Sequence, residues 1–202
     1  MIQCPTIVFI ILMMLFSTTI VSQEKKQLKD SKHKIGFSIG LGKNNGLGFT
    51  SIKVDRDYDV YLFQFQHHYS LYQRKLWGVE ILSQPQINFS KFKSLEDSES
   101  LTNAVEFGLN IGLFVRVNFF NDTMSLYGLI GSGPHFITKT PQRQANGFLF
   151  SDNFFMGLNI RMSNNTFLDI RSGKRHMSNF NLQTPNGGIN TFIMNIGIIK
   201  LL

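Results

Sequence analysis

Apolar and polar side chains alternate along most of this chain. In residues 103–119, NAVEFGLNIGLFVRVNF, the odd positions Val105, Phe107, Leu109, Ile111, Leu113, Val115, Val117 and Phe119 are all apolar. The even positions Ala104, Glu106, Gly108, Asn110, Gly112, Arg116 and Asn118 are small or polar, with Phe114 as one large exception. A period of two marks a β-strand whose two faces meet different surroundings. The same alternation predicts strands over 34–42, 59–69, 77–88, 153–162, 166–172 and 191–200. An eighth is predicted over 125–137, where the faces separate less cleanly and Pro134 calls for a strand end or a bulge. No long amphipathic helical pattern appears.

A soluble sandwich would bury the apolar face and show the polar one to water. Here the polar face is rich in glycine and carries Glu80, Glu106, Arg116, Asp169 and Arg171, charges that can pair inside a narrow barrel. An apolar exterior, a polar interior and an even number of strands of about ten residues form the pattern of an outer-membrane barrel. The predicted fold class is therefore all-β, an eight-stranded antiparallel transmembrane barrel over residues 34–202. Eight strands leave an interior that side chains can fill, so no pore is expected. With both termini in the periplasm, the external connections are 43–58, 90–102, 138–147 and 178–190, all long and polar. The periplasmic ones, 70–75, 120–124 and 162–165, are short, which is the membrane-barrel asymmetry. Arg116, Arg161 and Arg171 are expected in lumen ion pairs. Trp77, Tyr61 and Tyr69 are expected in aromatic girdles at the membrane interfaces.

The first residues strengthen this reading. Residues 1–23 carry no charged side chain, and the run from Ile7 to Val21 suits the apolar region of a secretory signal peptide. It is shorter than the ~20 residues a spanning helix needs. A cleaved signal over 1–23 is expected, then a polar lead-in over 24–33, with export to the bacterial outer membrane. The only cysteine, Cys4, lies in the signal segment, so the mature chain is expected to have no disulfide and no thiol chemistry. The net charge of +7 suits anionic lipid headgroups. Nucleic acid is not expected as a partner, because the basic residues form no concentrated stripe. No metal or other cofactor is implied: His67 and His68 are adjacent, so they point to opposite faces.

Residues 175–190, RHMSNFNLQTPNGGIN, hold the candidate chemistry. If the seventh strand continues without a bulge, Lys174, His176 and Ser178 share the lipid-facing parity of Leu168 and Ile170. Asn190 shares that of Phe192 and Met194. Polar residues on such a face need a reason. Side chains at i and i+2 stand roughly 7 Å apart on one face, so His176 can act as the base of Ser178. Asn190 can accept the other ring N–H, and Asn179 or a loop amide can stabilise an oxyanion. Lys174 and Arg175, at the external rim, are candidates for holding phosphate.

His176-Met-Ser178-Asn179, followed by Gln183-Thr-Pro185-Asn186-Gly-Gly188-Ile189, resembles the motif of the lipid A 3-O-deacylase (PagL) family. The upstream LYGLIGSGP, 126–134, is similar to a Gly-rich strand of that family. The resemblance implies an acyloxyacyl hydrolase-like barrel that removes an ester-linked acyl chain from lipid A of lipopolysaccharide, using a Ser-His-Glu triad on its outer surface. It implies His176 as base, Ser178 as nucleophile and Asn179 as oxyanion residue. Asn190 stands where the family has glutamate. No glutamate follows Glu106 and Asp169 has lumen parity, so no carboxylate is expected near His176. Asn181 stands where the family tends to have glycine.

Two functions from different classes follow. One is a membrane-embedded serine esterase acting on lipid A in the outer leaflet. The other is a catalytically silent barrel with a structural or adhesive role for its external loops, a reading that Asn190 favours. A secreted β-sandwich is a third arrangement of the same strands. A homodimer is compatible with the sequence.

Overall fold

The alternation becomes eight antiparallel strands in the computed structural model, which describes residues 32–44, 58–93, 101–120 and 122–202. They are β1 (His33–Lys43), β2 (Tyr58–Gln73), β3 (Trp77–Lys93), β4 (Leu101–Phe119), β5 (Met124–Ile137), β6 (Gly147–Arg161), β7 (Thr166–Ser178) and β8 (Ile189–Leu201). Each pairs with the next, and β1 pairs with β8 from Lys34↔Leu201 to Lys43↔Phe192, so the sheet closes and no strand edge remains open. The predicted signal segment and all but the last two residues of the lead-in lie outside the described residues, as does most of the first external connection.

Several strands run further outward than the alternation alone indicates. β3 continues to Lys93, β7 to Ser178, and β6 begins at Gly147 rather than at 153. The ladder between β6 and β7 is unbroken from Phe150↔Ser178 to Arg161↔Phe167, because backbone pairing continues where the polarity contrast fades. Pro134 lies inside β5. It pairs with Phe150 on the β6 side, while the β4 register is interrupted between Gly108↔His135 and Ile111↔Ser132. The missing N–H of proline falls at that interruption.

Every strand turns its apolar series outward. Phe37, Ile39, Phe65, Ile111, Ile130, Phe154 and Ile196 are among the exposed residues of this belt. Tyr72 and Trp77 pack with ring centroids 4.5 Å apart at the periplasmic end, and Tyr61 lies towards the other end of β2. Such a surface is stable only against hydrocarbon, with aromatic residues at the two interfaces.

Inside, charges are matched. Near the periplasmic end Glu80 is held by Lys34, by His68 Nδ1 at 3.1 Å and by Arg116 Nε at 3.3 Å. Higher up, Asp169 accepts the Tyr127 hydroxyl at 2.5 Å and an Asn159 amide at 2.9 Å. Arg171 donates to Gln64 at 2.8 Å and Ser38 at 3.3 Å, and lies 4.0 Å from Asp169. Towards the outside, Glu106 accepts from Arg175 Nη1 at 2.7 Å, from Asn88 at 2.9 Å and from the Tyr58 hydroxyl. Buried charges need such partners. Apolar side chains fill the space between them: Phe114, the exception in the β4 pattern, stacks on Tyr127 at 4.1 Å. Arg161 departs from expectation. It sits at the periplasmic end, where Nε donates to the Asp122 carbonyl at 3.1 Å instead of joining a lumen ion pair.

Candidate active site

β7 carries no bulge. Its pairing with β6 and with β8 runs in continuous register, so the alternation carries through to its outer end. Asp169, Arg171 and Arg175 are buried inside, while Lys174, His176 and Ser178 stand on the outer face. His176 pairs with Asn190 of β8, and His176 Nδ1 lies 2.8 Å from Asn190 Oδ1. An amide oxygen only accepts, so Nδ1 carries the proton and Nε2 keeps its lone pair.

The ring leans over β8. A Cβ built on Gly188 would lie 2.7 Å from His176 Cε1 and 3.5 Å from Nε2. Gly188 also has φ of +69°, a left-handed conformation that favours glycine. Gly188 directly precedes Ile189, the partner of Met177, so the ring leans towards the external end of β8. No hydrogen bond joins Ser178 Oγ to His176 among the described residues. Such bonds are often long without substrate and tighten when it binds.

The external turn is braced from below. Asn179 is 1% exposed. Its backbone N–H donates to Asn186 Oδ1 at 3.0 Å and its Nδ2 to the Gln183 carbonyl at 2.9 Å. Gly188 N donates to Gln144 Oε1 at 3.0 Å and Gly187 N to the Arg143 carbonyl at 2.6 Å, tying the turn to the neighbouring connection. Phe180 and Asn181 both have positive φ, +53° and +62°. Asparagine tolerates the conformation that glycine would supply there.

Two expected site residues stand elsewhere. Arg175 is not free at the rim: odd parity turns it into the lumen, where Glu106 holds it. Asn179 faces inward and both its donors serve the turn, so it braces the loop and does not line the outer surface. Lys174 is on the outer face, one row from His176.

Beside His176 opens a groove of about 700 Å³. Ile130, Phe154 and Phe192 form apolar walls, and Ser132, Asp152, Lys174, His176 and Asn190 supply polar groups. An apolar groove with a few convergent polar groups is the usual form of a ligand site.

One carboxylate corrects the sequence reading. Asp152 lies on the outer face of β6, directly across from His176. The alternation predicts a strand over 153–162 and an external connection over 138–147, and so assigns Asp152 to neither, whereas β6 begins at Gly147 and includes it. Its even number, shared with the outward Phe154 and Met156, was the available signal.

Residues 57–198, well over half of the chain, match the sequence model of the lipid A 3-O-deacylase (PagL) family. No curated protein sequence matches the chain. The crystal structure of the outer membrane enzyme PagL aligns with a TM-score of 0.54 at 15% identity, covering 81% of this chain and 97% of that one. The outer membrane protein OprG from Pseudomonas aeruginosa aligns at a TM-score of 0.45 and 12% identity, covering 84% and 95%. Neisserial surface protein A aligns at 0.47 and 9%, covering 85% and 98%. The first likeness shows a shared barrel fold; the other two, below 0.5, carry no argument. None of these matches supports a homodimer.

Proposed function

This chain belongs to the lipid A 3-O-deacylase (PagL) family of outer-membrane barrels, and from that premise we propose that it is a serine esterase whose substrate lies in the membrane plane. Ser178 is the nucleophile, His176 the base and Asn190 the group that orients His176. The observation that carries the reading is the 2.8 Å contact from His176 Nδ1 to Asn190 Oδ1, on the outer face, two residues from Ser178 and beside an apolar groove. Fixing the tautomer leaves Nε2 as the proton acceptor.

The chemistry then runs in two steps. Ser178 Oγ attacks the ester carbonyl carbon while His176 Nε2 takes the hydroxyl proton. Collapse of the tetrahedral species breaks the bond to the sugar oxygen, which leaves with the proton from His176. Water, deprotonated by the same nitrogen, attacks the acyl-serine and releases the fatty acid, returning Ser178 to its starting state. The acyl chain lies along Ile130, Phe154 and Phe192. Lys174, with its long stem, reaches towards an anionic headgroup. The plugged lumen supports substrate entry from the leaflet rather than through the barrel.

The test is mass spectrometry of lipid A from cells making the protein, beside cells making Ser178→Ala at equal outer-membrane abundance. Loss of one hydroxyacyl mass only with Ser178 intact is the expected result. Unchanged lipid A with the folded wild-type barrel present counts against the esterase. It would favour the second reading, a catalytically silent barrel, for which Asn190 in place of the family's glutamate is the supporting observation.

A further inference from the structure

Four polar side chains form one row across four strands of the outer face. Ser132 of β5 pairs with Asp152 of β6, Asp152 with His176 of β7, and His176 with Asn190 of β8. Side chains directly opposed across antiparallel strands stand about 5 Å apart at Cβ. Below this row the same face carries Ile130, Phe154, Lys174 and Phe192, so Lys174 is the one charge there. A carboxylate on a lipid-facing surface is costly and needs a function.

Asp152 is held in place. Ser132 Oγ donates to Asp152 Oδ1 at 2.6 Å, and among the described residues this is the only hydrogen bond the carboxylate makes. His176 meanwhile spends Nδ1 on the neutral amide of Asn190 on the opposite side. An amide fixes a tautomer but does not offset the positive charge that appears on the ring when Nε2 takes the serine proton. A carboxylate can do so through space, and near hydrocarbon that attraction is weakly screened.

We propose that Asp152, fixed by Ser132, is the positioning carboxylate of His176, stabilising the imidazolium from the β6 side while Asn190 orients the ring from the β8 side. The two duties of a single orienting carboxylate are thus divided between two strands. The inference rests on the esterase reading above, since a silent barrel forms no imidazolium.

The experiment measures kcat and KM for fatty-acid release from purified lipid A. It uses the full-length barrel in detergent, with folding checked for each variant by heat-modifiable gel migration. Asp152→Asn, nearly isosteric, should lower kcat about a hundredfold and leave KM within about twofold. Asp152→Glu should recover most of that loss. The decisive variant is Asp152→Asn combined with Asn190→Glu, which moves the negative charge across the ring. It should return kcat to within about tenfold of wild type. A folded Asp152→Asn barrel with wild-type kcat overturns the proposal and leaves the esterase standing. So does a double variant as slow as Asp152→Asn alone, because the loss would then be one of shape and not of charge. Wild-type release no faster than that of Ser178→Ala overturns the esterase reading, and this proposal with it.

Discussion

The lumen and the outer-face row use the same residue types to opposite ends. Inside, Glu80, Glu106 and Asp169 are surrounded by cations, hydroxyls and amides, and Arg175 sits on Glu106 at 2.7 Å. Outside, Asp152 has one hydroxyl partner, His176 one amide, and Ser178 none among the described residues. The two sets are adjacent in sequence: Arg175 and His176 are neighbours, and parity alone sends one inward and the other outward. The paired charges of the lumen hold the barrel together and are committed to one another. The under-matched row contributes little to stability and keeps the proposed base, His176, and the proposed nucleophile, Ser178, available.

That contrast can be broken from either side. Removing the proposed nucleophile or the proposed base should have the largest effect: Ser178→Ala or His176→Ala should lower deacylation by about a thousandfold or more. Unfolding free energies should stay within about 0.5 kcal/mol of wild type, as for surface substitutions generally. Deacylation assays paired with denaturant unfolding check both halves. The lumen should answer in reverse. Glu106→Gln leaves Arg175 buried without its counter-charge and should cost about 3–5 kcal/mol of stability. The specific activity of the molecules that still fold should change little. A lumen variant that folds yet loses deacylation would break the division of labour.

Smaller effects sharpen it. Gly188→Ala places a methyl against the His176 ring and strains a left-handed residue by about 1 kcal/mol. It should lower kcat by about tenfold or more, since small displacements of catalytic groups are felt strongly. Lys174→Ala should act least, raising KM by about twofold to fivefold with kcat unchanged, as expected for loss of one exposed charge contact. Steady-state kinetics on the two variants separates a displaced base from a weakened grip on substrate.

Much of this was legible in the chain. The period-two pattern of residues 103–119 sufficed to orient β4, and its parity carried over to the other strands because pleating admits no other choice. The outward placement of His176, Ser178 and Asn190 follows from that parity because β7 runs without a bulge. Arg175 shows the limit of reasoning by neighbourhood. Grouped with Lys174 as a rim cation, it is placed by odd parity in the lumen. Asn179 shows another: its duty in the turn depends on Gln183 and Asn186, partners that a local motif does not reveal.

The sequence by itself determined the class of barrel, the face each strand residue takes and the candidate nucleophile and base. These are local properties, set by side-chain alternation and by spacings of two residues. Tertiary structure alone decided which residues meet across strands, because register depends on where each strand begins and how the ladder closes. Asp152 and His176 are 24 positions apart in the chain and one strand apart on the surface. Only the pairing of β6 with β7 makes them neighbours.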